Sequence, residues 1–336
     1  MRCPSALLSI RLKPRSIVAL NGEDRVFDNG YANMLKRSWV LPTVSLSILC
    51  AASHAFAVPP TTVVDIIDGR AVESLTIHHA ASRCVIIFEA GSRNKIDKWG
   101  SVINAAARES TVFAYNRPGY GSSASATTSR DGRTIVEELR QVLKYKDLRP
   151  PYVLVGHSLG GLYAQLFARA YPAEVKGLVL ADALYPGAVK KSSEFPLMTR
   201  IAGKLAFSDT VWQEIEKIDE TGEMVLALGA INDKPIVRIV NAPTSSTAIA
   251  VDFGAFRNDA KTREQIRNLY PNARKLVVDS SHQIAMTSPD IVTSAIGEVM
   301  AAAGCTARVA AQATTSLKWK KPPGSRTGGF FTLQGD

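Results

Sequence analysis

The chain has 336 residues, 46% of them hydrophobic, which is enough to bury a sizeable core and excludes a disordered or fibrous protein. The formal charge of +10 resembles that of a nucleic-acid or membrane-surface binder, but its distribution argues otherwise. Residues 1–57 hold seven Lys/Arg against three Asp/Glu and residues 306–336 five against one, so each end carries about +4 and residues 58–305 only about +2.

The N-terminal charge belongs to a targeting segment. Met34-Leu35-Lys36-Arg37 is a basic opening, Trp39 to Ala52 is largely apolar, and Ala55-Phe56-Ala57 is a small-x-small cleavage site. This order reads as a secretory signal over 34–57, so the protein is expected to be exported, periplasmic or secreted. The apolar run is short and contains Pro42, which argues against a stable membrane span. Residues 1–33 lack periodicity and read as an over-extended start or a disordered segment. The tail 306–336, with Lys318-Trp319-Lys320-Lys321-Pro322-Pro323, reads as disordered and basic, and no nucleic-acid partner is expected. Cys84 and Cys305 remain in the body; export permits a disulfide, but two buried free thiols are the expectation. No Cys/His cluster has zinc-like spacing and no phosphate loop occurs, so neither metal nor cofactor is expected.

From Val63 onward, strand-like runs alternate with helical ones, which predicts an α/β fold with a mostly parallel central sheet flanked by helices. Strands are expected at 71–79, 84–88, 111–115, 152–155, 177–182, 236–240 and 275–278. Helices are expected at 99–108, 130–146, 161–171, 211–218, 264–269 and 289–303. The run Cys84 to Phe88 is continuously apolar, as in a strand buried on both faces. Residues 186–233 interrupt the alternation and predict a small helical lid over the site. Residues 58–305 then form a single domain.

The central motif is Gly156-His157-Ser158-Leu159-Gly160, between the strand at 152–155 and the helix at 161–171. Strand, Gly-x-Ser-x-Gly, helix is the nucleophile-elbow pattern. The turn is so sharp that residues two before and two after the nucleophile approach closely, which requires glycine. Ser158 is the candidate nucleophile, and the N–H of Leu159, opening the helix, is one candidate oxyanion donor. The N–H of Ser92, after Gly91 in the loop following the strand at 84–88, is the other.

A serine needs a base, and His282 is the candidate: it lies in a polar loop after the last strand. His157 adjoins the nucleophile, but its side chain is expected to point away from the hydroxyl. Glu89 reads as a structural strand end.

These residues resemble the α/β-hydrolase superfamily from about Val63 to Ala303. The resemblance rests on the elbow, on Arg117-Pro118-Gly119-Tyr120-Gly121-Ser122-Ser123, on Ser281-His282, and on the Ser-before-His order. Ala90-Gly91 stands where the family has His-Gly, and Asn116 where Asp often precedes Arg-Pro-Gly. The resemblance implies an acid after the strand at 236–240, but Asn241-Ala242-Pro243 carries no carboxylate. Asp182, after the preceding strand, is the candidate acid, with Asp252 as the alternative; Asp279 is too near His282 along the chain.

The implied chemistry is cleavage of a small or medium, partly apolar carboxylic ester through an acyl-enzyme. A thioesterase, peptidase, lactonase or C–C hydrolase would use the same residues, and a non-catalytic ligand-binding homologue is the rival of another class. A dehalogenase or epoxide hydrolase would need a carboxylate at position 158.

Overall fold

The computed structural model describes residues 61–242, 255–257 and 259–306. The expectations for residues 1–33, for the signal at 34–57, for Asp252 and for nearly all of the tail lie outside the described residues.

Eight strands form one sheet in the order β1-β2-β4-β3-β5-β6-β7-β8. They are β1 (Val63–Ile67), β2 (Arg70–Ile77), β3 (Val85–Glu89), β4 (Thr111–Tyr115), β5 (Tyr152–His157), β6 (Val175–Ala181), β7 (Ile236–Asn241) and β8 (Arg274–Val278). All neighbours from β4 to β8 run parallel, while β2 is antiparallel to both β1 and β4. β1 is an addition to the expected strands, and Asp68-Gly69 marks it: both have positive φ (48° and 76°), and the two-residue Asp-Gly turn is a strong hairpin signal.

Helices cover both faces. α1 (Gly100–Ala106) and α9 (Pro289–Ala302) lie on one side, and α2 (Gly132–Tyr145) and α3 (Leu159–Ala170) on the other. The strand period divides the core accordingly. In β5, Val153 and Val155 point to the α1–α9 side while Leu154 points to the α2–α3 side. Every residue of β3, β4 and β5 is buried, which accounts for their unbroken apolar runs.

The insertion folds into α4 (Leu197–Ala206), α5 (Asp209–Glu216) and α6 (Ile218–Ala227). α6 packs on α2 and α3, and Thr221 Oγ1 accepts the Gly132 N–H at 3.0 Å. The remaining helices are α7 (Ala260–Asn268), begun by an Asp259 cap on the Thr262 N–H, and the single-turn α8 (Ile284–Thr287). Among the described residues no helix is long and apolar enough to cross a membrane.

One expectation is corrected. Cys84 and Cys305 are not free thiols but a disulfide, with their Cα atoms 5.4 Å apart. The cause lies at the end of α9. Gly304, at φ 68°, donates to the Ala301 carbonyl and Cys305 to the Met300 carbonyl. This Schellman turn brings Cys305 back toward the start of β3.

Candidate active site

Because β3 to β8 are parallel, the loops at their C-terminal ends gather at one edge of the sheet. Ser158 follows β5 with φ 51° and ψ −124°, a strained conformation for a residue with a Cβ. The glycines around it are sterically required. A Cβ on Gly156 would stand 2.6 Å from Gly161 Cα, and one on Gly160 would stand 2.2 Å from the Glu89 carbonyl oxygen. The elbow therefore seats directly on the end of β3.

His282 and Asp182 meet Ser158 here. Asp182 follows β6 at φ 43°, and its Oδ2 lies 2.7 Å from His282 Nδ1. His282 Nε2 lies 3.0 Å from Ser158 Oγ. With Nδ1–H donated to the carboxylate, Nε2 is left to accept the serine proton. The His282 side chain is 55% exposed and that of Asp182 22%. Among the described residues, the insertion thus flanks the site and does not seal it.

The usual acid position after β7 is occupied by Asn241, which serves both partners. Its backbone N–H donates to Asp182 Oδ1 at 3.2 Å, and its side-chain oxygen accepts the Ser280 N–H at 3.1 Å. The acid loop and the base loop are thereby tied to one strand end.

The candidate oxyanion donors lie at the start of α3 and in the loop after β3. The N–H of Leu159, as the first residue of α3, has no intrahelical partner. The N–H of Ser92 has no acceptor among the described residues. A Cβ on Gly91 would lie 3.0 Å from Ser158 Cβ, so that loop passes directly beside the serine.

Two groups of supporting residues escaped the sequence reading. The first is centred on Arg117. Its guanidinium donates to Glu89 at 2.7 Å, to the Ala90 carbonyl at 2.6 Å, to the Gly91 carbonyl at 3.3 Å, and to both carboxylate oxygens of Glu214 at 3.0 and 3.1 Å. Tyr120 donates to Glu214 as well. The Arg-Pro-Gly-Tyr segment therefore holds the oxyanion loop from behind and fastens α5 to it. Burial alone would depress the Arg117 pKa, but Glu214, Tyr120 and Glu89 hold it well above its usual value. Asn116 also finds a reason: its amide donates to Glu73 and its oxygen accepts the Ile96 N–H, a pair of roles no carboxylate could fill.

The second group is His157 with Asn94. As expected, the His157 ring turns away from the serine, and it packs against His282 at a centroid distance of 4.8 Å. His157 Nε2 lies 2.6 Å from the His282 carbonyl oxygen, which can only accept, so Nε2 carries the proton. Nδ1 then accepts from Asn94 Nδ2 at 3.3 Å, and Asn94 also donates to Gln283 Oε1 at 3.0 Å. Burial first, then the nearby His282, lowers the His157 pKa to about 4. The ring is a neutral prop under the base loop. The only hint in the sequence is a histidine beside the elbow.

Comparison with known proteins agrees with this architecture. Residues 85–219 match the family described as alpha/beta hydrolase fold. The uncharacterized protein YqjL of Bacillus subtilis is 35% identical over 117 residues, 34% of this chain and 46% of that protein. Protein phosphatase methylesterase 1 of Candida albicans is 28% identical over 117 residues, covering 33% of this chain and 32% of that protein. The chain thus spans under half the length of these curated relatives. Among solved structures, a haloalkane dehalogenase DbeA variant from Bradyrhizobium elkanii superposes with a TM-score of 0.56 at 11% identity, covering 73% of this chain and 97% of that one. The family match over residues 85–219, the sheet order and the strained serine turn together show the α/β-hydrolase fold in this chain.

Proposed function

We propose that the chain is an exported serine hydrolase that cleaves a carboxylic ester of a small or medium, partly apolar substrate through an acyl-enzyme. The observation that carries this reading is the continuous hydrogen-bonded line from Asp182 through His282 to Ser158. Ser158 Oγ attacks the ester carbonyl carbon while His282 Nε2 takes its proton, and Asp182 stabilises the resulting imidazolium. The carbonyl oxygen becomes an oxyanion, which the N–H groups of Leu159 and Ser92 receive. Each good donor contributes on the order of 3 kcal/mol to the transition state. His282 returns the proton to the departing alcohol. The same nitrogen then activates a water that releases the acid and regenerates the serine.

A serine at the elbow, where a carboxylate would be needed for alkyl transfer, favours acyl chemistry over dehalogenation or epoxide opening. Phe207 beside Arg93 at the oxyanion loop supports a partly apolar substrate. The segment at 34–57 supports export, and the Cys84–Cys305 disulfide is consistent with an oxidising destination. Other acyl hydrolases would share the machinery, and a ligand-binding homologue would need none of it.

The test is hydrolysis of short- and medium-chain p-nitrophenyl esters by residues 58–336, with Ser158→Ala, Asp182→Asn and Asp252→Asn in parallel. Activity in the wild type and the Asp252 variant alone is the expected result. Activity lost only in Asp252→Asn among the acid variants would move the acid. A wild type no faster than Ser158→Ala on ester, thioester and amide panels would sink the hydrolase reading.

A further inference from the structure

α4 is amphipathic, but its apolar side is turned away from the protein. Thr199, Gly203 and Phe207 recur every fourth residue and form the inward stripe. Gly203 lies under the Trp212 indole, where a Cβ would stand 2.0 Å from the ring, and Phe207 lies 5.3 Å from the Arg93 guanidinium. Leu197, Ile201 and Leu205 also recur every fourth residue, with Met198 beside them, roughly 180° around the helix axis. These four side chains are 44–84% exposed. A globular helix normally buries such a stripe, so this face fits an occupant outside the chain.

Charge selects the occupant. Arg200 and Lys204 are exposed, one turn apart, along one border of the apolar stripe. α4 contains no acidic residue, and neither cation forms an ion pair among the described residues. In an antiparallel two-fold contact between copies, each apolar stripe would bring its own cationic border against that of its mate. An anionic lipid–water surface satisfies both features: acyl chains receive the leucines while headgroups face the cations. The position fits as well, because Phe207 at the end of α4 meets Arg93, next to Ser92 in the oxyanion loop.

We propose that α4 docks this protein on an anionic lipid–water surface, presenting the open Ser158 site to esters held in that surface. Docking stands independently of the esterase reading; only its catalytic consequence rests on that reading.

The experiment uses residues 58–336, which are free of the apolar run at 39–52. Flotation is measured with vesicles of phosphatidylcholine alone and of an equal mixture with phosphatidylglycerol. Wild type and Ser158→Ala should both float with the anionic vesicles. The double variant Leu197→Ser/Leu205→Ser should bind at least about tenfold more weakly, and Arg200→Gln/Lys204→Gln roughly thirtyfold more weakly at low salt. Both double variants should melt as the wild type does and hydrolyse soluble p-nitrophenyl acetate at the wild-type rate. Turnover of a vesicle-embedded ester should fall in proportion to binding. Three results overturn the proposal: no flotation of the wild type; equal flotation of the leucine variant, which would assign binding to the basic tail; or conversion of a dimer to a monomer by the leucine changes in sedimentation. Flotation that follows the α4 variants, without turnover of any ester, would support docking and remove the esterase reading.

Discussion

Two clusters of ionisable side chains share the C-terminal edge of the sheet and are built in opposite ways. Glu89, Arg117, Arg130, Glu138 and Glu214 are all buried and pair with one another, and Glu138 pairs with the partly buried Arg70 as well. Ser158, His282 and Asp182 are partly open to solvent and joined in a single line. The Ala90–Gly91 backbone lies between them, held by Arg117 on one side and touching the elbow on the other. A group used for proton transfer must reach substrate and water, and cannot be sealed. The rigidity it lacks is supplied by charges that can be sealed, because each has its partner.

Asp182→Asn should separate the two clusters most sharply. The amide can occupy the same space but offers the wrong hydrogen-bonding group to Nδ1, so kcat should fall by about 10^3–10^4-fold. Asp182 is partly solvated, so the melting midpoint should move little. Steady-state kinetics beside a thermal melt checks both halves.

Arg117→Met should act chiefly on stability. It leaves Glu89 and Glu214 buried without their shared cation, at a cost of about 3–5 kcal/mol in denaturant unfolding. The double variant Arg117→Met/Glu214→Leu removes a stranded charge and should be more stable than Arg117→Met alone. If the double variant is worse, the cluster is not acting as paired charge. Loss of the disulfide should act on stability alone. The bridge joins residues 221 apart at the end of β3 remote from the serine, so Cys84→Ala/Cys305→Ala should cost about 2–5 kcal/mol and leave kcat unchanged.

The open cluster was legible in the sequence because catalysis restricts residue type locally. The elbow at 156–160 states its own geometry, and the alternation of elements orders β5, β6 and β8. The sealed cluster was not legible. Glu214 and Arg117 are 97 residues apart, and nothing near Glu214 distinguishes it from an ordinary surface glutamate on an amphipathic helix. Cys84 and Cys305 failed for the same reason: their approach depends on the Gly304 turn at the far end of α9. Asn241 read as a missing acid because only the folded loops show its two hydrogen bonds supporting the residues on either side.

His157 belongs to both clusters, since it is buried like one and touches the base of the other. Its replacement should have the smallest effect, and the choice of replacement tells packing from positioning. Glutamine can donate to the His282 carbonyl and accept from Asn94, whereas leucine keeps the bulk and loses both bonds. His157→Leu should lower kcat by roughly 10–100-fold with KM little changed, and His157→Gln should recover most of that. Equal rates for the two variants would reduce His157 to filler. Acid stability gives a second reading. The folded ring has its pKa lowered to about 4 from an ordinary 6.5, so between those values the unfolded chain takes up a proton that the folded chain refuses. Stability from this site is therefore complete above pH 6.5 and is lost as pH falls toward 4, by on the order of 2 kcal/mol at pH 5. His157→Gln has no such proton to take up. Urea unfolding at pH 7 and pH 5 should show the wild type losing more than the glutamine variant, and parallel losses would mean that the ring is not held neutral beneath the base.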